Sequence, residues 1–345
     1  MNIGFHSFYR FYNQNRMFLD ASSPIGDDLM HPFVCLGGNL KVRGHTYSTI
    51  DMEPLDSYDA IVFFDYPTKL NPYFRKVLAL ENPPPLYLVL FEPKAIKPSN
   101  WSLENHSHFK KIFTSNLEFV DNKKYFWLNI ASKIEFDSKY FDASKKTKFC
   151  TLIASNKYSN DDGQLYSERI KAIRWFEKYH PDQFDLYGVD WDRLFFPIFG
   201  RLNFALSMIY RKMPWLPKWT QFKSYRGRVK SKRATLSQYQ FSICFENAAV
   251  SGWVTEKIFD CFMAGVIPVY LGAPEVEKMI PAEAYINMSQ FSSYEALYNY
   301  MSSMCLEDRQ KRLDVIEGFL KGPKVLPWGS EFFAETLVRE VCVSE

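Results

Sequence analysis

The chain of 345 residues is poor in several features, and each shortage excludes something. Its six cysteines, Cys35, Cys150, Cys244, Cys261, Cys305 and Cys342, include no CxxC pair. Four of them lie in strongly apolar contexts. Neither structural zinc nor a disulfide framework is expected, and buried free thiols in a reducing compartment are the better reading. No apolar run approaches the ~18 residues that a membrane-spanning helix needs. The opening MNIGFHSFYRFYNQNR turns polar too early for a secretory leader, so a cytoplasmic location is expected. Neither sign of charge dominates: 42 Lys and Arg against 39 Asp and Glu leave a net charge of +3, which argues against a nucleic-acid partner. Gly37-Gly38 lacks the pattern of a phosphate loop, and no internal repeat is evident. What the chain does have is a globular balance, 47% apolar and 23% charged, with 17% aromatics. That many rings suit apolar clefts or a surface that meets sugars or lipid.

Short apolar runs alternate with helical stretches. In the first half the expected strands are Asn2–Phe8, His45–Ile50, Ala60–Phe64, Leu86–Phe91 and Lys111–Thr114, with a helix near Leu29–Leu40 that stops at Gly44. In the second half they are Phe149–Ala154, Phe184–Tyr187, Phe241–Phe245, Ile267–Leu271 and Ala284–Asn287, with helices near Ser167–Tyr179 and from Glu256. Strands alternating with helices favour an α/β fold with parallel, doubly wound sheets. A polar stretch over Asp137–Lys148, with Lys139, Lys145, Lys146 and Lys148, places a domain boundary at 145/146. Two halves of similar size then predict a bilobal enzyme with a cleft between its lobes.

Between Arg193 and Leu236 the composition shifts. Arg201, Arg211, Lys212, Lys218, Lys223, Arg226, Arg228, Lys230, Lys232 and Arg233 occur there without an acid, interleaved with Phe204, Tyr210, Trp215, Trp219, Phe222 and Tyr225. The plain reading is a basic, solvated insertion. The functional one is contact with anionic lipid headgroups at a membrane surface, which clustered cations and interfacial aromatics suit.

The stretch that carries chemistry is YQFSICFENAAVSGWVTEKIFDCFMAGVIPVYLGAP, Tyr239 to Pro274. A buried strand ends at Phe245, so Glu246 and Asn247 emerge at its carboxyl end, where open α/β sheets bind ligands. Thr255 is a good N-cap, the helix runs on from Glu256, and Gly265 stops it. Free amides at such a helix start suit a diphosphate. Lys257 in the first turn opposes the helix dipole, a cost that a bound phosphate would offset. Glu256 suits the dipole and could accept from ribose or sugar hydroxyls. A capped helix with a surface Glu–Lys pair is the alternative.

Here the sequence resembles a known family. Phe245-Glu246-Asn247, Trp253-Val254-Thr255-Glu256-Lys257 and Gly265-Val266-Ile267-Pro268-Val269-Tyr270-Leu271-Gly272 are similar to the signature of the α-1,3/1,4-fucosyltransferases, glycosyltransferase family 10. The likeness extends to Tyr225-Arg226-Gly227-Arg228-Val229, to Lys232, and to Phe149–Asn156, which includes Ser155 and Asn156. In the first half it continues at Leu90-Phe91-Glu92-Pro93 and over Ile112–Asn129. The resemblance implies a GT-B fold: an acceptor-side Rossmann-like lobe over 1–145, a donor lobe over 146–325 and a C-terminal helix or tail over 326–345. It implies that Arg228 and Lys257 face the diphosphate of GDP-fucose, that Asn247 and Glu256 contact the nucleotide or its ribose, and that Lys232, Glu246, Trp253, Val254, Thr255, Ser155 and Asn156 also lie at the donor. Trp253 stands where the family usually has Tyr, which keeps an aromatic wall and loses a hydroxyl.

Inverting transfer needs one base beside the acceptor hydroxyl, and a carboxylate is the usual one. Glu92 is the best candidate, since it follows an apolar strand and resembles the family's first-lobe catalytic Glu; capping that strand end before Pro93 is its plainer role. No metal is expected to be required, although Mn or Mg stimulation stays open. Asp190-Trp191-Asp192 has a metal-binding DxD spacing yet reads as a solvated turn. Three readings follow: a fucosyltransferase acting on a GlcNAc- or Glc-containing glycan, the same fold with another nucleotide-sugar donor, and a non-catalytic glycan- or membrane-surface binder. The early polar residues set the chain apart from Golgi-type relatives. The acceptor would then be an oligosaccharide or a lipid-linked glycan, for example in lipopolysaccharide O-antigen synthesis.

Overall fold

A computed structural model of the chain describes residues 1–7, 9–21, 27–192, 209, 212–213 and 221–342. Most of the basic stretch 193–236 that was read for lipid contact, including Arg201, Arg211, Trp215, Lys218 and Trp219, lies outside them. The chain forms two compact units. One gathers Met1–Ile134, Val250–Glu256 and Val325–Glu345; the other gathers Glu135–Ala249 and Lys257–Lys324.

The first unit is built on six parallel strands: β1 (Asn2–Ser7), β2 (Thr46–Thr49), β3 (Ala60–Phe64), β4 (Leu86–Leu90), β5 (Lys111–Thr114) and β6 (Tyr125–Trp127). Their spatial order is β2-β1-β3-β4-β5-β6. In β3 and β4 every residue is buried, as expected of central parallel strands covered on both faces. Alternate side chains serve opposite faces. Val62 and Phe64 join Phe5, Val89 and Phe113 against Leu36 and Leu40 of the His31–Val42 helix and Phe333, Leu337 and Val341 of the Ser330–Cys342 helix. Ile61 and Phe63 join Leu88 and Ile112 against Phe74, Val77 and Phe109. The Pro72–Leu78 helix on that side starts cleanly, because the Asn71 side chain accepts from Phe74 N at 3.1 Å and Pro72 sits at its first position.

The second unit holds five parallel strands: β7 (Lys148–Ile153), β8 (Phe184–Tyr187), β9 (Tyr239–Phe245), β10 (Ile267–Leu271) and β11 (Ile286–Asn287), in the order β11-β10-β9-β7-β8. From β7 the chain steps to β8 on one side, and from β9 it winds to β10 and β11 on the other. The reversal lies between β7 and β9, at the position where open α/β sheets bind ligands. In the first sheet the equivalent reversal lies between β1 and β3.

The division differs in three places from the one drawn on the sequence: residues 135–145 belong to the second unit, and 250–256 and the stretch from 325 belong to the first. The lysine-rich stretch before β7, where the boundary was drawn, lies inside the second unit, which begins at Glu135. Lys146 is 6% exposed, and its Nζ donates to the carbonyls of Ser237 and Ala264 at 3.0 Å each, tying together two helix ends. Burial lowers this amine to about 8. Of the helix or tail expected over 326–345, the helix is found, Ser330–Cys342, and it supplies part of the first unit's core.

Candidate functional site

In the second unit the carboxyl ends of β7 and β9 frame a small hollow of about 30 Å³, lined by Ile153, Ala154, Arg169, Lys232, Lys257 and Asp260 among others. Three of these carry positive charge. Arg169 is 3% exposed, and its Nε and Nη2 reach the Phe245 carbonyl at 3.2 and 2.6 Å while Nη2 also donates to Asn247 Oδ1 at 2.9 Å. This fork fixes the end of β9 and the Asn247 side chain in one geometry. Lys232 Nζ donates to Asp260 Oδ2 at 2.7 Å. Lys257 Nζ donates to Glu246 Oε2 at 3.0 Å, and Glu246 is 0% exposed. The first-turn lysine is thus balanced by a buried carboxylate of its own unit, which the sequence reading had left to a bound phosphate. Burial, and then the Glu246 charge, push the Tyr270 phenol up.

The loops after β7 and β8 complete this edge. Ser155 is half-buried there, and Asn156 is buried, its N donating to the Val189 carbonyl at 2.9 Å. Gly188 lies against this loop with φ +131, and a Cβ on it would stand 1.8 Å from the Ala154 carbonyl oxygen. Trp191 is 1% exposed, donates through Nε1 to that same carbonyl at 2.6 Å and meets Phe222 edge-on at 5.0 Å. Asp190-Trp191-Asp192 is therefore a turn anchored in the core by its middle residue, where a solvated turn was expected. Among the described residues no group of three His, Cys, Asp or Glu side chains is placed to hold a metal ion. Arg228 is exposed, next to Gly227, whose carbonyl accepts from Gly188 N at 3.0 Å. Of the three cations that line the hollow, Arg169 is the one that sequence reasoning missed.

In the first unit the carboxyl ends of β1, β3 and β4 carry His6, Asp65 and Glu92. Asp65 adopts φ +61, and its Oδ1 accepts from Phe91 N at 2.8 Å, Glu92 N at 3.1 Å and Asn100 Nδ2 at 2.6 Å. The Glu92 carbonyl accepts from Asn100 Nδ2 and Trp101 Nε1, both at 3.0 Å. The backbone of Glu92 is held from both sides while its side chain is half-buried. Trp253 tightens the same point, since its Nε1 donates to the Phe91 carbonyl at 3.0 Å. Trp253 is 3% exposed and Val254 0%. Both side chains are thus buried, and both residues belong to the first unit. Thr255 is buried as well, and Glu256 is half-buried. The division between units falls inside the Glu256–Met263 helix, after its first residue. His6 Nε2 pairs with Asn71 Nδ2 at 3.1 Å, and burial, with Lys97 nearby, lowers the imidazole to about 4.

Comparison with known proteins gives this geometry its context. Residues 217–312 match the model of glycosyltransferase family 10 (fucosyltransferase), C-terminal part. The chain is 40% identical over 73 residues to the α-(1,3)-fucosyltransferase FucT of Helicobacter pylori, 21% of this chain and 15% of that protein. It is 36% identical over 69 residues to an α-(1,4)-fucosyltransferase of Arabidopsis thaliana, 20% of this chain and 17% of that one. The match to the GDP-fucose protein O-fucosyltransferase 3 of Bos taurus is also 36%, over 88 residues, 25% of this chain and 18% of the relative. These stretches span less than a fifth of each relative's length. Among solved structures, an α1,3-fucosyltransferase superposes with a TM-score of 0.52 at 16% identity, covering 92% of this chain and 80% of that one. Anabaena HepE in complex with UDP-glucose gives 0.54 at 11% identity over 99% of both chains. The expected GT-B architecture of two Rossmann-like sheets is the one found, and on it residues 217–312 carry the C-terminal signature of glycosyltransferase family 10, the fucosyltransferases.

Proposed function

We propose that the chain is an inverting fucosyltransferase that moves L-fucose from GDP-β-L-fucose to a hydroxyl of a GlcNAc- or Glc-containing glycan, giving an α-1,3 or α-1,4 fucoside. The observation that carries this reading is the coincidence of the family 10 stretch with the β7/β9 reversal, where Arg169, Lys232 and Lys257 line one hollow. In the proposed reaction the acceptor oxygen attacks the anomeric carbon as the bond from that carbon to the diphosphate breaks. Glu92 takes the acceptor's proton, and the GDP leaves with its charge met by Arg169 and Lys257. No metal is required in this scheme. We further infer a lipid-linked saccharide as acceptor, as in lipopolysaccharide O-antigen synthesis, on the ground that residues 193–236 mix cations with interfacial aromatics.

GDP release is to be measured over a panel of nucleotide sugars, with and without a lactosamine-type acceptor. Preference for GDP-fucose is expected, and preference for another donor overturns the assignment. Glu92→Gln should abolish transfer while GDP still binds; retained turnover moves the base elsewhere. Turnover should survive EDTA, and co-sedimentation with liposomes should rise with anionic lipid content.

A further inference from the structure

The ends of β1, β3 and β4 bring together three titratable side chains, His6, Asp65 and Glu92, and the turn after Glu92 adds a fourth, Lys97. The turn is tight. Ile96 N and Lys97 N both donate to the Pro93 carbonyl at 2.9 Å, and Asn100 N donates to the Lys97 carbonyl at 3.0 Å. Residue 97 is thereby folded back toward the strand end that the chain has just left. Its Nζ is buried, with Asp65, Glu92 and His6 in electrostatic range. An ammonium withdrawn from water is tolerated where carboxylates stand beside it. Asp65 is already committed, because three donors converge on its Oδ1. Glu92 has a fixed backbone and a half-buried side chain, and the ammonium lies in electrostatic range of its carboxylate.

We propose that Lys97 is a positioning residue whose buried ammonium holds Glu92 in its ionised, proton-accepting form. The inference rests on the reading of Glu92 as the base. Among the described residues, Tyr9 from the loop after β1, Asp65 from the end of β3 and Lys97 from its own turn lie near Glu92, with His6 beside Lys97. Burial, then the Glu92 and Asp65 charges, push the Tyr9 phenol up, so it stays protonated. His6 is neutral near pH 7. Burial lowers the Lys97 amine while Asp65 and Glu92 draw it back up, and among these groups it is the cation that opposes protonation of Glu92.

The test is the pH profile of kcat/KM for the wild type, Lys97→Met, Lys97→Arg and Glu92→Gln, each with its GDP affinity and melting curve. Loss of the ammonium should move the acid limb up by about one pH unit, so that activity on that limb falls about tenfold. Lys97→Arg, which keeps the charge, should return the limb to its original position, which a merely structural role would not require. GDP affinity should be the same in all four. Should the Met variant fail to fold, Lys97→Gln reads the same shift with a polar side chain. An unmoved limb in a folded neutral variant, with Glu92→Gln inactive, overturns the proposal alone. Turnover by Glu92→Gln overturns the reading of the base, and the proposal with it.

Discussion

His6 offers a quantitative check on the first unit. Its imidazole is 7% exposed at the end of β1, and burial, then Lys97, lowers it from 6.5 to about 4. Above pH 6.5 both native and unfolded chains hold it neutral. Between 6.5 and about 4 the unfolded chain binds a proton that the native one refuses, so stability is lost as pH falls through that window. A shift of this size corresponds to about 3 kcal/mol, fully lost below pH 4. Other groups also titrate there, so the measurement is a difference. Urea unfolding of the wild type and of His6→Gln should be followed from pH 7 to pH 4. The Gln variant starts lower, having lost the ring's packing, but it lacks the imidazole and should lose about 3 kcal/mol less over the interval. Parallel curves for the two proteins would refute the argument, since they would mean that the ring gains its proton as readily folded as unfolded.

Four further outcomes follow from the geometry. Lys257→Met removes the cation from the buried Glu246 carboxylate and should cost about 3–5 kcal/mol in urea unfolding, with much of that recovered by adding Glu246→Gln. Arg169→Met orphans the Phe245 carbonyl and frees Asn247; GDP affinity should fall at least about tenfold in titration calorimetry, and Arg169→Lys, lacking the fork, should rescue it poorly. Trp253→Phe removes one hydrogen bond to the Phe91 carbonyl and should cost about 1–3 kcal/mol in unfolding, with a fall in kcat that exceeds any change in the donor's KM. Gly188→Ala forces a Cβ onto the Ala154 carbonyl at a positive φ and should lower the melting temperature and weaken GDP binding together.

Ala60–Phe64 and Ile267–Leu271 were legible as unbroken apolar runs in central parallel strands, and Lys111–Thr114 and the edge strand Phe184–Tyr187 are also found as expected. β6 was missed, being three half-buried residues after the polar Asp121-Asn122-Lys123-Lys124. The helix expected near Leu29–Leu40 runs from His31 to Val42. Arg169 went unread because Ser167-Glu168-Arg169-Ile170-Lys171 looks like a solvated helix face. A signal was available, however. Tyr166, Arg169, Ala172, Ile173 and Phe176 are the buried positions of the Tyr166–Tyr179 helix, and their three- and four-residue spacing puts the arginine on the apolar stripe. Lys146 gave no such cue, since a lysine that ties two distant helix ends is specified by tertiary structure alone. Trp253 was read as an aromatic wall at the donor, and the partner of its indole, 162 positions away, could not be foreseen.

The membership of residues 325–345 in the first unit bears on how the protein is made. Phe333, Leu337 and Val341 cover apolar surface presented by β1, β3 and the His31–Val42 helix, all of them synthesised some three hundred residues earlier. During translation that surface lacks this cover until the Ser330–Cys342 helix has been made. The nascent first sheet is then a natural client for chaperones, and a chain halted before Ser330 is a sticky intermediate in place of a folded lobe.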